Sequence, residues 1–275
     1  AIKKLEEELD VRLFERSSKN EIRITEIGQQ VINQAYIVLQ EAQILMEIAQ
    51  QGKDPLSGQF RLGVIYTIGP YLLPSLIPKL RKTAPNLKLI IEENFTANLY
   101  QSLKQGSLDA IIISYPFDEP GIETAPLYEE PFIVALPRNH EWKNREQIQP
   151  GDLASQDLML LGAGHCFRDQ VIEACPDCMS GDSELTRTLE GGSLETMRHM
   201  VAAGTGITVL PRSSIPNSQK SESLIDIKPF ARPSPARTVA IAWRKHYPRK
   251  EAIYTIRDTI QSSPLDGVEI TQSVA

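Results

Sequence analysis

Apolar positions in this chain follow two rhythms, and the switch between them lays out its organisation. Ile2, Leu5 and Leu9 are three and four residues apart, as on one face of a helix. Val11, Leu13 and Phe14 form a short apolar turn, Ser17 to Asn20 a polar one, and Glu21 to Thr25 alternates as a short strand does. Thr25 stands where a helix cap is wanted. Beyond it Val31, Ala35, Val38, Ala42, Leu45 and Ala49 alternate steps of four and three, the heptad seam of a helix that packs on a partner helix. The seam ends near Gln51, before a hinge-like stretch from Gly52 to Gly58.

From Gln59 the rhythm becomes strand, helix, strand. Strands are predicted at Phe60–Tyr66, Leu87–Glu93 and Asp109–Ser114, with helices over Pro70–Arg81 and Ala97–Gln105 between them. That alternation implies right-handed crossovers and a parallel sheet. Glu123–Tyr128 and Phe132–Leu136 continue as two further strands. A second unit follows, with strands at Leu158–Leu161 and Glu184–Leu189 and a helix capped by Ser193. Gly204–Pro211 reads as a glycine turn and strand, and Leu224–Ile227 as an edge strand. Arg237–Trp243 is a strand, and Lys250–Ile260 a helix predicted to return to the first unit. The expected fold class is α/β: a small N-terminal module, a long linker helix, then two lobes in a periplasmic-binding-protein-like arrangement. Such lobes put a cleft at the carboxyl ends of their strands. The predicted boundaries are 1–25, 26–52, a first lobe of 58–131 with 237–275, and a second lobe of 132–236.

A chain of 275 residues, 41% apolar, is long enough for two or three domains with their own cores. No apolar run approaches the roughly 18 residues of a membrane span. The first residues lack the apolar core of a signal peptide, so a cytoplasmic location is expected, where thiols are kept reduced. They also lack an initiator Met, which suggests an incomplete N-terminus. The net charge of −6 argues against a nucleic-acid surface spread over the whole chain. It leaves room for a small basic module: Lys3, Lys4, Arg12, Arg16, Lys19 and Arg23 all fall in the first 24 residues.

The candidate chemistry lies in one place. All three cysteines, Cys166, Cys175 and Cys178, fall between Gly162 and Cys178. Cys166 follows His165, a proton acceptor, and precedes Arg168, a fixed positive charge. If residues 165–174 are helical, nine residues rise about 13.5 Å and turn about 900 degrees, leaving Cys166 and Cys175 on opposite faces. A disulfide needs Cα atoms within about 7 Å, so a bond between these two requires the helix to unwind. Pro176 marks a natural breaking point. Four readings stay open on these residues. One is a peroxide-reactive thiol at the positive end of a helix. A second is a zinc site of His165, Cys166, Cys175 and Cys178. A third is a Cys175-x-x-Cys178 redox dithiol, although its place after a helix is not the thioredoxin setting. The last is three buried small hydrophobes.

Two sets of residues carry a resemblance. Lys3-Lys4-Leu5-Glu6, Leu9, Val11, Leu13-Phe14-Glu15-Arg16, and Thr25 before Gly28 resemble the C-terminal half of the DNA-binding domain of LysR-type transcriptional regulators, a winged helix-turn-helix. On that match the chain begins inside the recognition helix. Gly164-His165-Cys166-Phe167-Arg168-Asp169-Gln170 with Cys175, Ser193 through Thr208, and Gly69 through Pro74 resemble the peroxide-responsive branch of that family. The resemblance implies a homodimeric or homotetrameric transcription activator, not an enzyme, that binds promoter DNA and recruits RNA polymerase. It implies no cofactor and no metal. Cys166 would be the peroxidatic thiol and Cys175 the resolving one, joined as Cys166–Cys175 after oxidation by hydrogen peroxide and reset by reductants such as glutaredoxin or thioredoxin. His165 would sit beside the reactive sulfur, Thr67 and Thr96 would hold peroxide or water, and Arg244 would stabilise the thiolate. Lys3, Lys4, Arg16 and Lys19 are the DNA-contact candidates. Cys178 has no counterpart in this match. Competing expectations are a LysR-type regulator that senses a small metabolite or metal in the cleft, a solute-binding protein, and a thiol peroxidase with multiple turnover.

Overall fold

The computed structural model describes residues 2–16, 22–51, 54–179, 190–215, 224–262 and 265–271. At its start, α1 (Ile2–Leu9) leads into β1 (Phe14–Arg16) and β2 (Ile22–Ile24), paired antiparallel with Phe14 opposite Ile24. A Glu6 carboxylate oxygen accepts from the backbone N–H of Leu13 (2.7 Å) and Phe14 (3.1 Å), which fixes the turn, and Leu13 is buried. The turn expected at Ser17–Asn20, with Lys19, lies outside the described residues. Thr25 caps the long helix: its Oγ1 accepts from Gly28 N–H at 2.9 Å and donates to Arg12 C=O at 2.7 Å. That helix, α2, runs Glu26–Gln51, roughly 39 Å at 1.5 Å per residue. Val38, Leu39 and Leu45 on it are exposed.

The first lobe is built from β3 (Gly58–Ile65), α3 (Gly69–Thr83), β4 (Leu87–Asn94), α4 (Thr96–Lys104) and β5 (Ala110–Ser114). β3 pairs parallel with both β4 and β5, as the alternation predicts. Pro70 lies in the first turn of α3, where its missing N–H costs nothing. Sequence reasoning expected two strands after β5. The structure has one, β6 (Ile122–Pro137), which runs unbroken through Glu129-Glu130-Pro131. Pro131 looks like a break in the sequence, but the chain simply changes neighbours there. The half before it pairs with the strand Ala236–Arg244, and the half after it with strands of the second lobe.

The second lobe contributes β7 (Leu158–Leu161), α5 (Cys166–Ala174), β8 (Glu190–Gly191), α6 (Leu194–Ala202), β9 (Ile207–Pro211) and β10 (Ile225–Pro229). Ser193 caps α6, its Oγ accepting from Thr196 N–H at 3.1 Å. The strand expected at Glu184–Leu189 lies outside the described residues. The chain returns through β11 (Ala236–Arg244), α7 (Lys250–Gln261) and β12 (Glu269–Ile270). The main sheet runs β4-β3-β5-β11-β6-β9-β7-β8, with β10 and β12 also on β6.

Two apolar cores sit on either side of that crossing. One gathers Leu62, Leu76, Ile112, Leu127, Ile241 and Ile256, and α7 packs on α3 within it. The other gathers Val134, Leu160, Phe167, Val171, Met197 and Leu210. The molecule is thus an α/β protein of two lobes joined by a shared strand.

Candidate functional site: a thiol at the lobe boundary

The chain enters α5 through Gly164, whose φ of +93° is a conformation that side chains resist. His165 is the extended N-cap residue and Cys166 the first residue of the helix. Cys166 carries a free thiol and packs against the first core, whereas its neighbour Phe167 is buried in the second. The sulfur therefore lies on the boundary between lobes.

Four of the predicted site residues meet there. Thr67, from the turn between β3 and α3, and Thr96, the first residue of α4, join His165 and Cys166 around a small cavity, with Tyr66 and Phe95 completing its wall. It holds about 10 Å³ for the centre of a water-sized molecule, close to the minimum for one such guest. The His165 ring meets Phe95 edge to face at 4.8 Å and Tyr66 at 6.2 Å. Burial pushes its pKa below the usual histidine value, and a hydrogen bond with the backbone of Gly192 partly opposes this. The shift favours the neutral imidazole, whose unprotonated ring nitrogen can accept a proton.

The arginine of this site is one that sequence reasoning missed. Arg237, on β11, has a fully buried side chain. Its Nη1 donates to Thr67 Oγ1 and its Nη2 to Thr67 C=O, both at 2.9 Å. Nε donates to Glu130 Oε2 at 2.8 Å, and the guanidinium lies 5.2 Å from the centre of the Phe167 ring. Glu130 also accepts from Ser213 N–H at 2.8 Å. Arg237 thus ties the threonine turn of one lobe to the cysteine helix of the other.

Arg244, expected at the thiolate, is seated elsewhere. Its Nη1 donates to the carbonyls of Leu103 and Leu108 at 2.6 Å each, and its guanidinium faces Tyr247. It lies seven positions beyond Arg237, roughly 23 Å along β11. The signal that could have found Arg237 is the register: it lies directly opposite Glu130 on β6.

Cys175 is the C-cap residue of α5 and is not beside Cys166. It is bonded to Cys178, with Cα atoms 5.6 Å apart, across a short 3-10 turn, Pro176–Met179. The bond expected after oxidation, Cys166–Cys175, is not the one this structure holds. Both bonded cysteines are buried in the second core. Among the described residues no group of three or more His, Cys, Asp or Glu side chains gathers as a metal site.

Three ties hold α5 in helical form. Phe167 stacks edge to face on Phe132 at 4.9 Å. Arg168 Nη1 donates to Leu161 C=O at 2.7 Å. Gln170 Nε2 reaches into the first lobe, donating to Ser114 Oγ (2.8 Å) and Tyr115 C=O (2.9 Å). Unwinding α5 breaks contacts with both lobes. At the far end of the sequence, Lys3 and Lys4 are exposed on α1, with Lys4 3.8 Å from Glu8, and Arg16 closes β1.

The model of the LysR substrate binding domain matches residues 53–264. A DNA-binding transcriptional dual regulator OxyR of Escherichia coli K12 is 37% identical over 266 residues, covering 97% of this chain and 85% of the relative. The chain belongs to the OxyR family of LysR-type regulators. Among solved structures of OxyR proteins, a full-length cysteine-to-aspartate variant from Pseudomonas aeruginosa superposes with a TM-score of 0.80 at 47% identity, covering 96% of this chain and 87% of that one. A peroxide-bound OxyR cysteine variant from Corynebacterium glutamicum superposes at 0.69 with 28% identity, covering 95% of this chain and 82% of that one.

Proposed function

We propose that this chain is a transcriptional regulator that senses hydrogen peroxide through Cys166. The observation that carries the reading is the water-sized cavity lined by Cys166, His165, Thr67 and Thr96. A peroxide oxygen there meets a nucleophile, a proton acceptor and two hydroxyls. Attack by the Cys166 thiolate gives a sulfenic acid and releases water after protonation. Reduced Cys175 then condenses with it. Because α5 separates the two sulfurs, that step dismantles the helix and with it the Phe132, Leu161, Ser114 and Tyr115 contacts. The consequence is a shift between lobes, which α2 passes to the N-terminal module.

The same reading makes the protein a regulator that does not turn over substrate, with promoter DNA, RNA polymerase and thiol reductants of the glutaredoxin or thioredoxin type as partners. Pairing of α2 gives a dimer, and dimers join as a tetramer. Lys3, Lys4, Arg16 and Lys19 supply phosphate contacts. The domain boundaries are those given above. No described helix is long and apolar enough to cross a membrane, and a cytoplasmic setting suits a reducible thiol.

The test is thiol mapping by mass spectrometry after brief, sub-stoichiometric peroxide, alongside promoter activation. Oxidation should appear at Cys166 first, and Cys166→Ser should lose the response while keeping the wild-type circular dichroism spectrum. Normal activation by Cys166→Ser sinks the assignment.

A second reading has an observation of its own. A cavity of about 600 Å³ opens between the lobes, with Gln170, Tyr115, Phe132 and Arg237 on its wall. That volume suits a small metabolite. A regulator of this kind would respond to that metabolite with all three cysteines replaced by serine.

A further inference from the structure

The structure joins Cys175 to Cys178 while leaving α5 intact and Cys166 free. Cys175 therefore has two possible partners with opposite consequences for the helix. A bond to Cys166 has to cross roughly 13.5 Å of helix, beyond the roughly 7 Å that a disulfide spans. It forces Phe167 and Val171 out of the second core and breaks the Gln170 bonds to Ser114 and Tyr115. A bond to Cys178 asks for none of this. Cys178 N–H already donates to Cys175 C=O at 3.1 Å, so the 3-10 turn holds the two residues together with both side chains in the same core.

We propose that Cys178 is a second resolving thiol, and that oxidation taken up at Cys166 passes through a Cys166–Cys175 bond to rest in Cys175–Cys178. This rests on the peroxide-sensing reading. In the first step the Cys166 thiolate attacks one peroxide oxygen and the O–O bond breaks. The departing oxygen leaves as hydroxide and is protonated to water. The Cys175 thiolate attacks the sulfenic sulfur and expels a second hydroxide, also protonated, to form Cys166–Cys175. The Cys178 thiolate then attacks the Cys175 sulfur, forms Cys175–Cys178 and expels the Cys166 thiolate. One peroxide is reduced to two waters, and one dithiol loses two electrons. The exchange runs forward because the expelled Cys166 allows α5 to close again and recover its burial and hydrogen bonds. The Cys166–Cys175 form, with its helix opened, is then a timed intermediate. The resting oxidised form has a free thiol in the peroxide cavity and no neighbour to resolve it, so a second peroxide leaves a lasting sulfenic acid at Cys166.

The experiment uses the reduced chain with one equivalent of hydrogen peroxide, alkylation at successive times and mapping of each bond by mass spectrometry. In the wild type, Cys166–Cys175 should rise and then fall as Cys175–Cys178 grows, with Cys166 alkylatable at the end. Cys178→Ser, and independently Cys178→Ala, should prolong the Cys166–Cys175 form by at least about tenfold, because its route of exchange is gone. Cys166→Ser should slow formation of Cys175–Cys178 by a similar factor. A wild type that ends as Cys166–Cys175 with Cys178 alkylatable throughout overturns the relay and leaves the sensor standing. So does Cys175–Cys178 forming at the wild-type rate in Cys166→Ser while Cys166 is still oxidised in the wild type. If Cys166 is oxidised in neither the wild type nor Cys178→Ser, the sensor reading itself fails and the relay falls with it.

Discussion

Arg237 lies directly across the sheet from Glu130, and the two form an ion pair from which solvent is wholly excluded. Removing one partner strands the other charge in the interior. Arg237→Met or Glu130→Leu alone should cost about 3–5 kcal/mol in urea unfolding, and the double substitution should recover most of that loss. Single substitutions that cost less than about 1 kcal/mol would show that water reaches the pair.

Thr67 is where that pair touches the peroxide cavity. Thr67→Val removes the hydroxyl acceptor of Arg237 Nη1 and one polar group from the cavity wall. Loss of a hydrogen bond to a charged group predicts destabilisation of about 1.5–3 kcal/mol. The second-order rate of Cys166 oxidation should fall by roughly tenfold to a hundredfold. Thr67→Ser, which keeps the hydroxyl, should retain most of the rate; a Ser variant as slow as Val would mean that shape, and not the hydroxyl, sets it.

The direction of the His165 shift gives a pH dependence. Burial holds its folded pKa below the usual histidine value of about 6.5. Between the folded value and that unfolded value the unfolded chain binds more protons, so stability falls as pH drops through this window. Above it the ring is neutral in both states and the effect vanishes. His165→Gln should flatten this part of the stability profile. An NMR titration of the His165 ring with a midpoint at or above about 6.5 would remove the basis for treating it as a neutral acceptor.

Gln170, on α5, is hydrogen-bonded into the first lobe through Ser114 and Tyr115. Gln170→Leu removes both bonds and should destabilise by about 1–3 kcal/mol. The loss is local. Hydrogen exchange of the α5 amides should speed up more than that of β5 or α6, and Cys166–Cys175 should form faster because the helix opens more readily. Unchanged exchange in α5 would place the lobe tie elsewhere.

α2 presents Val38, Leu39 and Leu45 to solvent in the single chain. Val38 and Leu45 belong to the heptad seam, so Val38→Asp with Leu45→Asp should convert the assembly to monomers in light scattering, with little effect on the spectrum of the lobes. An unaltered mass would rule out α2 as the pairing surface.

Much of this arrangement is legible in residue order. Heptad spacing and Thr25 predict α2, alternation predicts the parallel β4-β3-β5 unit, and the helix reading of 165–174 foretells that Cys166 and Cys175 face different ways. The structure sends them into different cores. Three features resist such reading. β6 is continuous because Pro131 falls where the strand exchanges partners, and no local propensity reports an exchange. Arg237 looks in sequence like one polar residue in a strand; only the β6–β11 register gives it Glu130, and only the lobe closure gives it Thr67. The pairing of three thiols is a tertiary fact, since spacing alone cannot rank the possible bonds.

β6 also sets how this chain can change length. Successive strand residues point to opposite faces, so one residue added or lost near Glu129-Glu130-Pro131 exchanges the two faces of whatever follows, and Phe132 to Leu136 are buried on both. The residues before that point serve one core and those after it the other. The two cores are therefore kept in phase by a single run of backbone. Loops elsewhere can lengthen freely, but this stretch tolerates insertions only in steps that preserve the alternation.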